Sequence, residues 1–344
     1  MKVLGIAAGS GVIIHPLKKH LVGNVEPRSD YMTPGDEQWL ANFEGIPLLP
    51  SLPGKSEIGK VYAIVGHPTC GHSSSLAYSR GKKLGNAKKD KTLKLFVKAV
   101  KKYKPKVFMF ENLTAMYKTY PDFDSNFSDY TLVKHNCSVA NFGNSQISRV
   151  RLIIIGIHKS INPSAASYFK LPELESSKLK KVLELESKLA YPNADLCHIR
   201  EDDNTKVCME KDFRKLTLAE IRDEWNSDKY INRKKWDATT TGKGKMKNLP
   251  GVYRNLPDQF PLTARKQNRQ FNSKGDIMSP RELARINGIP DSFKLVFHAH
   301  KKQYYLNKAR VNSTKCPPYE LGLWFAKCLY KLKKSLKHGN KKKP

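Results

Sequence analysis

One cysteine stands at the exit of an apolar run: Val61-Tyr-Ala-Ile-Val65 leads into Gly66-His67 and then Pro68-Thr69-Cys70-Gly71. A cysteine where a buried strand reaches the edge of an α/β sheet is placed to act as a nucleophile, provided a helix N-terminus or a neighbouring base draws its thiol toward thiolate. His67 and His72 flank it in sequence. Taken alone, such a cysteine is more often a packing residue. Three further pieces follow in order: Glu111-Asn112 behind Val107-Phe-Met-Phe110, the pair Arg149 and Arg151, and the segment Ser279–Phe293. Glu111 is expected on the same sheet edge as Cys70. A partly desolvated glutamate there is expected to carry a proton near neutral pH.

A second constellation lies at the start of the chain. The run Val3–Ala8 passes into Ala8-Gly9-Ser10-Gly11, and Glu26 follows the next apolar run, Leu21–Val25. Glycines there allow a tight turn and close approach of a ligand to the backbone, and an acid ending the second strand accepts hydrogen bonds from ribose hydroxyls. The pair points to a nucleoside-containing cofactor. It does not by itself separate a nicotinamide dinucleotide from S-adenosylmethionine, though the missing third glycine favours the latter.

The elements that must carry these residues are legible as periods. Val3–Ala8, Leu21–Val25, Val61–Val65, Val107–Phe110 and Leu152–Ile157 are short, non-alternating apolar runs, the pattern of buried parallel strands. Leu93, Phe96, Val97 and Val100 recur at helical spacing ahead of Pro105. Strand–helix–strand alternation predicts a doubly wound α/β domain over residues 1–158. Residues 159–262 are rich in Lys, Glu, Asn and Asp, with one helix expected around Glu173–Leu189, and read as a smaller basic domain. Residues 263–330 are expected to return to the first domain. Ser279 with Glu282 forms a capping box there, and Leu321, Trp324, Phe325, Cys328 and Leu332 give a last helix an apolar face. Residues 331–344 read as a basic, frayed tail.

Lys and Arg number 62 against 31 Asp and Glu, a formal charge of +31, which points to a polyanionic partner and first to nucleic acid. The six cysteines show no CxxC spacing, so neither zinc nor a disulfide framework is expected. No run approaches a membrane span and the N-terminus lacks a signal-peptide pattern, so a soluble protein of a reducing compartment is expected.

The order and spacing of these pieces resemble the DNA (cytosine-5) methyltransferase family over most of the chain. The family's cofactor loop corresponds to Ala8-Gly9-Ser10-Gly11 and its ribose-binding acid to Glu26. Its Pro-Cys loop corresponds to Gly66–Ser74 and its Glu-Asn-Val segment to Glu111-Asn112-Leu113. Its Gln-x-Arg-x-Arg strand corresponds to Arg149–Gly156, and its Arg-Glu-x-Ala-Arg helix to Arg281–Asp291, the most specific single match. Of its last cofactor segment, Cys316-Pro317-Pro318 survives.

The resemblance implies a Rossmann-like class I methyltransferase domain with residues 159–262 as target-recognition domain, acting on double-stranded DNA as a monomer. It implies a bacterial or virus-infected cytoplasm, or a nucleus in a eukaryote. It implies that a cytosine is turned out of the duplex, that Cys70 adds to ring carbon 6, and that Glu111 binds N3 and the amino group. Arg151 would hold O2, Arg149 would sit nearer the phosphates, and Thr69, Asn112 and Arg281 would touch substrate. Ala8, Gly9, Ser10, Gly11, Glu26, Pro68 and Lys315 would line the cofactor site.

Several positions depart from the family pattern: Thr69 replaces a proline, Gly71 a glutamine, Ala7 a phenylalanine and Val12 a glycine, and Leu48–Leu52 lacks an acid for the adenine amino group. Most fall on the cofactor side, so a carboxylated analogue of S-adenosylmethionine, paired with Lys315, His67 or His72, stands as an alternative cofactor. RNA stands as an alternative substrate, although the Cys-Phe-Thr signature of the tRNA-modifying branch is missing. A non-catalytic nucleic-acid-binding protein on the same fold is the alternative of another class.

Overall fold

Leu4 and Ile6 point to one face of the first strand and Val3 and Gly5 to the other, and each face is covered by a different helix. In the computed structural model, which describes residues 1–27, 34–70, 87–144, 149–172, 196–201, 204–209, 252–254, 269–271, 284, 287–298 and 316–339, contacts divide the chain into two units. Met1–Gly143, Arg149–Glu175 and Cys316–Pro344 form the first, and Asn144–Ser148 and Ser176–Lys315 the second. Composition places the return to the first domain at residue 263; contacts place it at Cys316.

The first unit holds a seven-stranded sheet built from β1 (Val3–Ile6), β2 (Leu21–Val25), β3 (Leu48–Leu49), β4 (Ala63–Gly66), β5 (Val107–Asn112), β6 (Tyr130–Ser138) and β7 (Val150–His158). Its order is β3-β2-β1-β4-β5-β7-β6. The strands from β3 to β5 pair in parallel, and β7 runs antiparallel to both β5 and β6. The expectation that Leu152–Ile157 is a parallel strand is therefore corrected: Leu152, Ile153, Ile154 and Ile155 are buried on both faces, and burial alone does not encode direction. The neighbouring edge strand β6 went unread because its Lys134-His135-Asn136 stretch faces solvent in part.

Helix α2 (Lys91–Tyr103), the second long helix after α1 (Pro34–Asn42), covers one face with Leu93, Phe96, Val97 and Val100. Its start is fixed by Asp90, whose carboxylate accepts from Thr92 N at 2.8 Å and Leu93 N at 2.9 Å, a capping arrangement. It ends at Lys104, held in a left-handed conformation (φ 45°) just before Pro105. The other face is covered by a 3₁₀ helix, Val12–His20, and by α3 (Tyr319–Gly339), which buries Leu321, Trp324, Phe325, Cys328 and Leu332. Gly322 lets α3 approach closely, since a Cβ there would lie 2.0 Å from the Ile13 carbonyl oxygen. The frayed tail expected from residue 331 is corrected: burial of Leu332 keeps the helix going through Gly339.

In the second unit, β8 (Leu196–Glu201) pairs antiparallel with β9 (Asn204–Met209) and parallel with β12 (Leu295–His298). β10 (Val252–Arg254) and β11 (Arg269–Phe271) form a separate parallel pair. The segment that matched the family most specifically ends a helix here. Ile289 N bonds Ala284 O at 3.0 Å across Gly288 (φ 67°), a Schellman closure that needs glycine at the left-handed position. Arg281, Lys315, His72, the Ser279–Glu282 capping box and the helix expected around Glu173–Leu189 lie outside the described residues.

Candidate active site

The carboxyl ends of β1, β4 and β5 bring three loops together. After β1, the chain turns through Ala7 (φ 51°), Gly9 (φ 56°) and Gly11 (φ 82°). A Cβ on Gly11 would lie 2.4 Å from Phe43, which stacks on Trp39 at 4.0 Å beneath the loop, so glycine is required there on two counts. Gly9 has open space where its Cβ would be. Gly9 N donates to Glu26 Oε1 at 2.6 Å, and Asn24 Nδ2 donates to the same oxygen at 3.0 Å. Burial raises the Glu26 carboxyl, partly offset by these two bonds, and Asp36 on α1 raises it further. Asn24 and Asp36 were not among the expected site residues. The signal for Asn24 is a polar side chain, wholly buried, inside an apolar strand.

After β4, Pro68 is buried, Thr69 is exposed and Cys70 is half-buried. Asn112 Nδ2 donates to the Pro68 carbonyl at 3.2 Å, and Thr69 N donates to Thr92 Oγ1 at 2.9 Å. The nucleophile loop is thus tied to the end of β5 and to the first turn of α2. Asn112 also accepts from Leu113 N at 2.8 Å. Cys137, buried on β6, is a thiol of a different kind: burial first and Glu111 second push it up to about 11. Burial likewise pushes Cys328 up to about 11. Cys70 is therefore the accessible thiol at this edge.

Glu111 is fully buried, and its Oε2 accepts a hydrogen bond from His67 Nδ1. Its Oε1 lies 3.1 Å from Arg151 Nε, an ion pair without hydrogen-bond alignment, so this buried oxygen has no aligned hydrogen bond among the described residues. Burial raises the Glu111 carboxyl, but the charge and hydrogen bond of His67, then Arg151 and Arg149, outweigh it and hold the group below its ordinary value. The expected neutral-range carboxyl is thus corrected to a carboxylate, because the His67 hydrogen bond and the Arg151 and Arg149 guanidinium groups favour its charged form.

Arg149 is buried and donates from Nη2 to the Cys316 carbonyl at 2.6 Å. Burial, then repulsion from Arg151, lowers its guanidinium to about 9, which leaves it charged at neutral pH. Buried against the backbone of Cys316, this side chain ties that segment in place. Cys316 also meets Ser10, Sγ to Oγ at 3.0 Å, so Cys316-Pro317-Pro318 joins the β1 loop to the start of β7. Arg151, half-buried beside Glu111, remains at the site. Ala8 N donates to Asn24 Oδ1 at 3.3 Å.

A family model described as C-5 cytosine-specific DNA methylase matches residues 55–308. No curated protein matches. Among solved structures, a DNA modification methyltransferase encoded within an E. coli prophage superimposes with a TM-score of 0.60 at 17% identity, covering 96% of this chain and 99% of its own. The S. pombe Dnmt2 methyltransferase does so with a TM-score of 0.54 at 10% identity, covering 98% of this chain and 99% of its own. At these identities the likeness is one of fold, a class I methyltransferase sheet. With the family model spanning most of its length, the chain belongs to the C-5 cytosine-specific DNA methylases.

Proposed function

We propose that the protein transfers a methyl group from S-adenosylmethionine to carbon 5 of a cytosine turned out of double-stranded DNA, through a covalent bond to Cys70. The observation that carries this reading is Glu111: a fully buried carboxylate whose Oε1 lacks an aligned hydrogen bond, on the sheet edge to which the Cys70 loop is tied. A buried acceptor left in that state suits a ligand that brings its own donor, as the amino group of cytosine does. Arg151, beside it, offers a donor for the base O2. Cys70 supplies the thiolate that saturates the C5–C6 bond and makes carbon 5 nucleophilic.

The β1 loop fits the nucleoside part of the cofactor. Gly9 leaves its Cβ position open, Gly11 admits no side chain, and the Glu26 carboxylate stands at the end of β2 where ribose hydroxyls would meet it. Ala8, Gly9, Ser10, Gly11, Glu26 and Pro68 would hold the group, which supplies an electrophilic methyl when bound. His67 already pairs with Glu111, which leaves a carboxylated analogue without that partner.

Mixed-sequence duplex DNA is incubated with the protein and S-adenosylmethionine, digested to nucleosides and analysed by mass spectrometry. A new 5-methylcytosine peak is the expected result. Its absence, with product appearing instead on RNA or with a carboxylated cofactor, overturns the substrate or the cofactor assignment respectively.

A further inference from the structure

We propose that His67 is the proton donor that recharges Glu111 for each methyl transfer, forming a relay from the β4 loop through Glu111 to the cytosine ring. The inference rests on the function proposed above. Its ground is a juxtaposition: His67 Nδ1 is hydrogen-bonded to Glu111 Oε2, and the same carboxylate is ion-paired to Arg151 through its other oxygen.

Attack of Cys70 on carbon 6 pushes electrons toward N3, and the ring accepts them far more readily when N3 is protonated. Glu111, flanked by cations, is held as a carboxylate and has no proton of its own to give. His67 has one. It is partly exposed, with its side chain at 20% of full accessibility, so it can be reprotonated from solvent. Two carboxylates face it, Glu111 on β5 and Glu26 after β2; Arg151 on β7 and the neutral Cys137 thiol on β6 lie beyond Glu111.

In the proposed step Nε2 takes a proton from solvent, the Nδ1–H bond breaks with its electron pair staying on Nδ1, and an Oε2–H bond forms, so that the ring ends neutral; Nε2 releases that proton when N3 returns its own. The carboxylic hydroxyl turns about the Cδ–Oε2 bond and gives its proton to N3 as the Cys70 Sγ–C6 bond forms. After the methyl group has been transferred, loss of the C5 proton to solvent and of the Cys70 thiolate restores the ring. N3 then returns its proton to Glu111 and His67. The N3 proton is borrowed, and one proton, that of C5, leaves per turnover.

His67→Asn separates donation from positioning, because its amide retains a hydrogen-bond donor near the Nδ1 position but has no proton to transfer. The relay predicts that this variant binds DNA and cofactor as the wild type does, loses roughly 100-fold or more in kcat, and loses the alkaline fall of kcat with pH. The double variant His67→Asn, Glu111→Gln should be no slower than Glu111→Gln alone, since both changes interrupt one path. Wild-type kcat and pH profile in His67→Asn overturn the relay while leaving the methyltransferase reading intact. So do losses that multiply in the double variant. A wild-type protein that makes no 5-methylcytosine removes the underlying reading, and the relay with it.

Discussion

At the scale of single residues, the site is a set of charges whose states follow from burial and neighbours. Cys70→Ala removes the thiol of a half-buried loop residue. The expected outcome is loss of methyl transfer with DNA affinity retained, checked by nucleoside mass spectrometry beside an electrophoretic binding assay. Glu26 and Glu111 have opposite linkage. Glu111 is held below its ordinary value, so its contribution to stability is present above the unfolded-state value and lost as pH falls through the folded one. Glu26 is raised by burial, so its contribution is full at low pH and lost as pH rises through the folded value. Glu26→Gln should therefore gain stability relative to wild type as pH rises above the ordinary glutamate range, read by urea unfolding, while weakening cofactor binding. The sequence made Cys70, Glu111 and Arg151 visible by type and order. It did not reveal that Arg149 is an anchor, that Asn112 ties a loop, or that Glu111 is ionised, because each depends on a partner distant in the chain: Cys316, Pro68 and His67.

At the scale of elements, what positions the site is the packing behind three loops. Asp90 caps α2, and the hydroxyl of Thr92 in the same turn holds Thr69. Asp90→Ala should cost about 1 kcal/mol of stability, measured by urea unfolding, and also lower kcat by loosening the Cys70 loop. Gly322→Ala should cost about 1–3 kcal/mol, because the added Cβ meets the Ile13 backbone and α3 must move away from the 3₁₀ helix under the cofactor loop. The apolar strands and α2 were readable because burial on both faces leaves continuous runs and a helical period leaves a stripe. The reversal of β7 was not readable, since Leu152–Ile155 carries the same apolar run whichever way the strand points. The edge strand β6 was hidden by its half-exposed pattern.

At the scale of the whole molecule, the formal charge of +31 suits a polyanionic partner such as DNA. Binding should weaken steeply with salt, with a log–log slope near −0.9 for each phosphate neutralised, and fluorescence anisotropy across a salt series checks it; a shallow slope would mean that the lysines do not contact phosphate. The central claim concerns the bond between protein and DNA, and one gel addresses it. Duplexes bearing 5-fluorocytosine at a confirmed target site are incubated with S-adenosylmethionine and with wild-type protein or Cys70→Ala, then denatured and run by electrophoresis. Fluorine cannot leave carbon 5 as a cation, so a denaturant-resistant shifted band with wild type and none with Cys70→Ala is the predicted result. A band that persists in Cys70→Ala, or none with a wild type that methylates the ordinary site, would contradict a Cys70 adduct.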